Sequence, residues 1–128
     1  MRILLDTNAY AALGRRNFHI RNIVETADEV VLSTIVLGEL HAGFALGSRK
    51  KKNKRELGEF LKEPGITIAP PTEGIAERYG EVVRILRENG TPLPTNDIWI
   101  AATALETGSR ILSFDTHFGL VPGIMLVL

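Results

Sequence analysis

Met1-Arg2-Ile3-Leu4-Leu5-Asp6-Thr7-Asn8 is the stretch on which the fold turns. Ile3, Leu4 and Leu5 form a short unbroken apolar run, which suits a strand buried on both faces of a parallel sheet. The run stops on an acid. An Asp at the carboxyl end of a central strand stands at the rim where open α/β sheets place their ligands. Asp, Thr and Asn are also good helix caps, so Asp6 equally suits the start of the next helix. The number of other acids reaching the same rim decides between cap and site.

Working outward, the pattern alternates short strands with helices. A short helix is predicted over Ala9 to Leu13, ended near Gly14, and a second over Phe18 to Thr26, with Ile20, Ile23 and Val24 at helical spacing. Glu29 to Ser33 reads as a strand rich in β-branched residues, and Ser33 or Thr34 caps a helix from Ile35 to about Leu46. A further helix runs to about Lys62, with Leu57, Phe60 and Leu61 on its buried side. Ile66 to Ala69 is a third strand. Thr72 begins a long helix striped by Ile75, Tyr79, Val82, Val83 and Leu86, which ends at Asn89-Gly90. After the stiff connector Thr91-Pro92-Leu93-Pro94, Thr95-Asn96-Asp97 opens a helix over Ile98 to Thr107, closed by Gly108. Arg110 to Ser113 is a fourth strand, Gly119 to Gly123 a loop, and Ile124 to Leu128 a last strand. The expectation is a single α/β domain over residues 1–128, with a mostly parallel central sheet of four to five strands flanked by helices.

Composition narrows the chemistry. At 128 residues the chain is long enough to bury a core without cross-links. It has no cysteine, which leaves no disulfide scaffold, thiolate zinc site or cysteine nucleophile. The first apolar stretch is too short for a signal peptide, and no window is long enough to span a membrane. A cytoplasmic protein is the expectation. Basic and acidic residues balance at 15 each, but Arg49 to Arg55 holds six of the basic ones, leaving nine against 15 acids elsewhere. Such a block, with Lys50, Lys51 and Lys52 at its centre, suits a phosphate backbone; it equally suits a solvated helix face.

Three further acids stand out. Glu39 has Ile35, Val36, Ala42 and Gly43 at three and four positions on either side, so its helical neighbours are all non-polar. A carboxylate on a packed face needs a cation or a donor, unless it sits at the helix edge and reaches solvent. Asp97 faces Ile100, Ala101, Ala104 and Leu105, although an acid in a first turn also serves the helix dipole. Asp115 follows a strand much as Asp6 does, and alone suits a turn. In a parallel sheet Asp6 and Asp115 share one edge, and Glu39 and Asp97 lie on inward helix faces. Four convergent carboxylates raise one another's pKa, and a hard divalent cation resolves the conflict. Mg²⁺ and Mn²⁺ take oxygen ligands, and the chemistry they support here is phosphodiester hydrolysis.

Asp6-Thr7-Asn8 after a first strand, Gly38-Glu39-Leu40 in a helix, Asn96-Asp97-Ile98-Trp99-Ile100-Ala101-Ala102, and Ser113-Phe114-Asp115-Thr116-His117-Phe118 occur in that order. Together, over essentially the whole chain, they resemble the PIN-domain ribonucleases, specifically the VapC toxins of toxin–antitoxin pairs. The resemblance implies a metal-dependent endoribonuclease with Asp6, Glu39, Asp97 and Asp115 as the cluster for Mg²⁺ or Mn²⁺. It implies RNA as substrate, neutralisation by a cognate antitoxin protein, and a homodimer. Thr7, Asn8, Asn96 and Ser113 match polar positions of the motifs and would support the acids. The basic block is outside the family signature; Lys50, Lys51 and Lys52 are expected to draw in RNA phosphates. Competing families fit less well. A haloacid-dehalogenase phosphatase wants a second Asp where Asn8 stands, a response-regulator receiver wants adjacent acids and a late lysine, and a flap-type 5′-nuclease is much longer. The remaining alternative is a non-catalytic RNA- or protein-binding module of the same fold.

Overall fold

The computed structural model describes residues 1–128 and builds one sheet from five strands, all parallel, in the order β3-β2-β1-β4-β5. The strands are β1 (Arg2–Leu5), β2 (Glu29–Ser33), β3 (Ile66–Ala69), β4 (Arg110–Leu112) and β5 (Leu126–Val127). The helices are α1 (Thr7–Gly14), α2 (Phe18–Thr26), α3 (Thr34–Leu46), α4 (Lys50–Leu61), α5 (Glu73–Glu88) and α6 (Thr95–Thr107). None of them is long and apolar enough to cross a membrane.

β1 is the central strand, as its apolar run requires. Ile3, Leu4 and Leu5 are fully buried, with Leu4 paired to Val31 on one side and Ile111 on the other. The chain steps from β1 outward through β2 and β3, then returns to the other side of β1 with β4. The gap between β1 and β4 is therefore where the direction of winding reverses. Crevices outside the carboxyl ends of such strands are the places where open α/β sheets hold ligands.

The helices are positioned by caps the sequence announces. Ser33 accepts a hydrogen bond from Val36 N at 3.1 Å and starts α3, and Thr72 accepts one from Ile75 N at 3.3 Å and starts α5. Gly108, with φ 64°, closes α6 in the left-handed conformation that glycine adopts without a steric cost. α6 packs along α5, where Tyr79 and Trp99 stack at 4.1 Å and Arg78 meets Glu106 at 3.2 Å. That seam holds the first turn of α6, which carries Asp97, against the body of the protein.

The structure departs from expectation at the carboxyl end. β4 stops at Leu112, so Ser113 stands outside the ladder, where its side chain is free to bond. Thr116–Leu120 forms a 3₁₀ turn capped by Asp115, taking in the first residues of the loop expected over Gly119 to Gly123, and the last strand contracts from residues 124–128 to Leu126–Val127. An edge strand that pairs only with β4 extends no further than β4 allows.

Candidate active site

Asp6 leaves β1 at its carboxyl end, where it caps α1 and also bonds across to the end of β4. Its Oδ1 accepts from Ala9 N at 2.8 Å, capping α1, while its Oδ2 accepts a hydrogen bond from the Ser113 hydroxyl. Each carboxylate oxygen therefore has its own donor, one local to α1 and one from across the sheet. Only 5% of Asp6 is exposed. Ser113 in turn accepts from Asp115 N at 2.9 Å, linking the ends of the two central strands across the switch point. Asp115 accepts from His117 N at 2.9 Å through Oδ1, and His117 Nδ1 lies 2.7 Å from the same oxygen.

Glu39 reaches this rim from α3. It is half-buried, and both of its oxygens have donors: the Thr7 hydroxyl at 2.7 Å and Asn96 Nδ2 at 3.4 Å. The all-apolar helical neighbourhood pointed to a side chain that needed donors, and these two provide them. Asn96 precedes Asp97 in the first turn of α6, a helix that starts at Pro94 without a side-chain cap. The structure brings Asp6 and Asp97 within the charge influence of Glu39 and Asp115, with Thr7 and Asn96 bonded to Glu39 and Ser113 bonded to Asp6. Asn8 is different. It is exposed and bonds to none of the acids, because successive helical residues point about 100° apart and Thr7 already takes the inward direction. His117 belongs to a quoted motif, yet its spacing two residues after Asp115 was not read as a contact. An acid that caps a 3₁₀ turn brings the residue two positions on back to itself, and this local signal marks the pair.

The electrostatics show mutual influence. Burial pushes the Asp6 carboxyl up; the Ser113 and Ala9 hydrogen bonds oppose this, and the Asp115 and Glu39 charges add to it. Asp97 is also raised, first by burial, then by Asp115, Glu39 and Asp6, with His117 acting the other way. No lysine or arginine forms an ion pair with any of the four. The acids do not close on one point as ligands of a preformed metal centre do. Such an open arrangement suits a cation held by one or two carboxylates, waters and substrate phosphate.

The PIN-domain family model matches residues 3–124. The chain belongs to the PIN-domain family. Among curated relatives of this PIN domain, ribonuclease VapC1 of Haemophilus influenzae is 33% identical over 116 residues, covering 88% of this chain and 85% of the relative. Ribonuclease VapC4 of Mycobacterium tuberculosis is 27% identical over 126 residues, covering 98% and 95%. In three dimensions this PIN domain matches a chain of VapBC2 from Rickettsia felis, solved bound to a promoter DNA fragment, with a TM-score of 0.89 at 25% identity. The match covers 99% of this chain and 98% of the other. A VapBC-1 chain from Haemophilus influenzae, at 23% identity and a TM-score of 0.87 over 99% and 97%, shares the fold.

Proposed function

We propose that this PIN domain, its 128 residues acting as one domain, is an endoribonuclease and the toxin of a toxin–antitoxin pair. Its substrate is RNA and its activity depends on Mg²⁺ or Mn²⁺. The observation that carries the reading is the mutual charge influence of Asp6, Glu39, Asp97 and Asp115 at the switch point of the sheet, with no lysine or arginine paired to any of them. The ribonuclease names of its relatives point the same way, and the pairing of the Rickettsia felis relative in a VapBC complex supports a cognate antitoxin. A cytoplasmic location and a homodimer belong to the same proposal.

The residues present fit a hard divalent cation. The donors are oxygens throughout, and the upward shifts of Asp6 and Asp97 come first from burial and then from the charges of neighbouring acids, which no lysine or arginine offsets. One or two of Asp6, Glu39, Asp97 and Asp115, with waters and substrate phosphate, would hold it. When bound, such a cation acidifies water and offsets phosphate charge. The chain's own groups prepare the site. Ser113 orients Asp6 and, by its hydrogen bond, favours the ionised form that a cation requires. Thr7 and Asn96 fix the two oxygens of Glu39, and His117 holds Asp115.

The test is to incubate the purified protein with total cellular RNA and Mg²⁺ or Mn²⁺, with EDTA and Asp97→Asn as controls. Discrete fragments that vanish in both controls are expected. Intact RNA from a folded, antitoxin-free protein would instead favour the binding-module alternative.

A further inference from the structure

Parts of α1, α3 and α4 enclose an open cleft of about 460 Å³. Arg15 and Arg16 line it from the end of α1, and Arg49 and Lys52 from the start of α4. Tyr10 and Phe44 add aromatic surface, and Glu56 is the single acid on its walls. The cleft approaches two of the acids along α1 and α3: Tyr10, whose N bonds to Asp6 O, lies one turn beyond Asp6, and Leu40, also on the wall, follows Glu39. The eight residues of α1 span roughly 12 Å, so the cations begin a few nucleotides of extended strand away from Asp6.

Arg16 supplies a second, independent observation. At φ 61° it is the one non-glycine residue in the left-handed region. Asn17 N bonds to Ala12 O and Arg16 N to Leu13 O, which makes Arg16 the turning residue of a helix end where glycine is the usual occupant. An L side chain there costs on the order of 1 kcal/mol. A strained residue that brings a cation to a cleft beside reactive carboxylates points to use of that cation.

We infer that this cleft holds the phosphodiester backbone of single-stranded RNA on one side of the cleavage point, with Arg16 as a phosphate-binding residue. Arg15, Arg49 and Lys52 contact neighbouring phosphates, and Tyr10 and Phe44 offer surfaces to bases, the combination by which single strands are held without sequence readout. The inference rests on the ribonuclease reading and adds a path for its substrate. It also divides the basic block: Lys52 faces the cleft, while Lys50 and Lys51 are exposed and do not line it. An acidic protein segment matches the cleft's charge but meets like charge at the adjoining carboxylates. For RNA phosphate, a divalent cation held by those carboxylates would offset that repulsion.

Arg16→Gly tests this cleanly, because it removes the cation and the strain together and so threatens folding least. Binding of a fluorescein-labelled oligouridylate is followed by anisotropy across a salt series, in Mg²⁺, with Asp97→Asn added to every protein to prevent cleavage. Arg16→Gly is expected to weaken binding several-fold and to lower the salt slope by about 0.7, with Tm unchanged or raised. Arg49→Ala should act in the same direction, and Lys54→Ala, outside the cleft, should not. An unchanged affinity and slope in Arg16→Gly would overturn the inference. So would unchanged RNA binding accompanied by lost antitoxin binding, which would assign the cleft to protein. If the parent chain neither cuts nor binds RNA, the ribonuclease reading falls as well; if it does both and Arg16→Gly equals it, only the cleft is wrong.

Discussion

Asp6 shows how one carboxylate satisfies a local rule and a global one together. Its cap bond to Ala9 N is a property of the helix that follows, whereas its bond from Ser113 exists only because β4 lies beside β1. Removing that second bond leaves a buried acid with one donor fewer. Ser113→Ala is therefore expected to lower cleavage by roughly 10–100-fold, the range for groups that orient a metal ligand. The acid limb of the pH–rate profile should move to higher pH, because a donor that favours the ionised form has gone. An acid limb that stays in place would separate Ser113 from the chemistry. Asp97 carries the opposite lesson. Its carboxyl is raised by burial and by three neighbouring acids, so Asp97→Asn relieves repulsion. We expect it to raise Tm in EDTA while abolishing cleavage, a trade of stability for function. Thermal melts in EDTA that show no gain would mean the acids do not oppose one another in solution.

Among the elements, α6 does most to present the site, since its first turn holds Asn96 and Asp97 and its last residue is followed by a left-handed glycine. Gly108→Ala places a Cβ at φ 64° and should cost about 1 kcal/mol, lowering Tm by a few degrees. Because Gly108 is at the far end of α6 from Asp97, kcat/KM below the melting range should be unchanged. A loss of activity in the folded protein would show that the two ends of α6 are coupled. Helix periodicity, caps and terminal glycines were readable from sequence, and α2, β2 and β3 fall on their predicted residues. The stretch after Asp115 was not readable in the same way. Its 3₁₀ turn depends on a single side-chain cap, and the length of β5 depends on the strand beside it.

For the whole molecule, the raised carboxyls link stability to pH and to cations. Below about pH 3, folded and unfolded chains both hold these protons. As pH rises the unfolded chain ionises first, so the contribution of Asp6 and Asp97 to stability falls until their native carboxyls ionise as well. A divalent cation that binds the ionised cluster should reverse this, adding about 2.7 kcal/mol at a hundredfold excess over Kd. Urea unfolding with and without Mn²⁺ between pH 4 and 7 measures it: the Mn²⁺ increment should grow with pH and vanish in Asp97→Asn. An increment independent of pH would exclude these carboxylates as the binding groups.

The sequence by itself determined the alternation of strands and helices, the central place of an apolar run ending in Asp6, and the identity of four acids on otherwise apolar or strand-end positions. These are properties of local periodicity, and local periodicity is written in order along the chain. Only the tertiary structure decided that the sheet is parallel throughout, that Ser113 reaches Asp6 across 107 positions, that Asn8 points away while Thr7 and Asn96 grip Glu39, and that His117 holds Asp115. It also decided which basic residues share a cleft, since Arg15 and Arg16 line one with Arg49 and Lys52 while Lys50 and Lys51 stand outside it. The reason is geometric. Which side chains meet depends on strand order and on the angle at which each helix leaves the sheet, and both are set by packing the whole core at once.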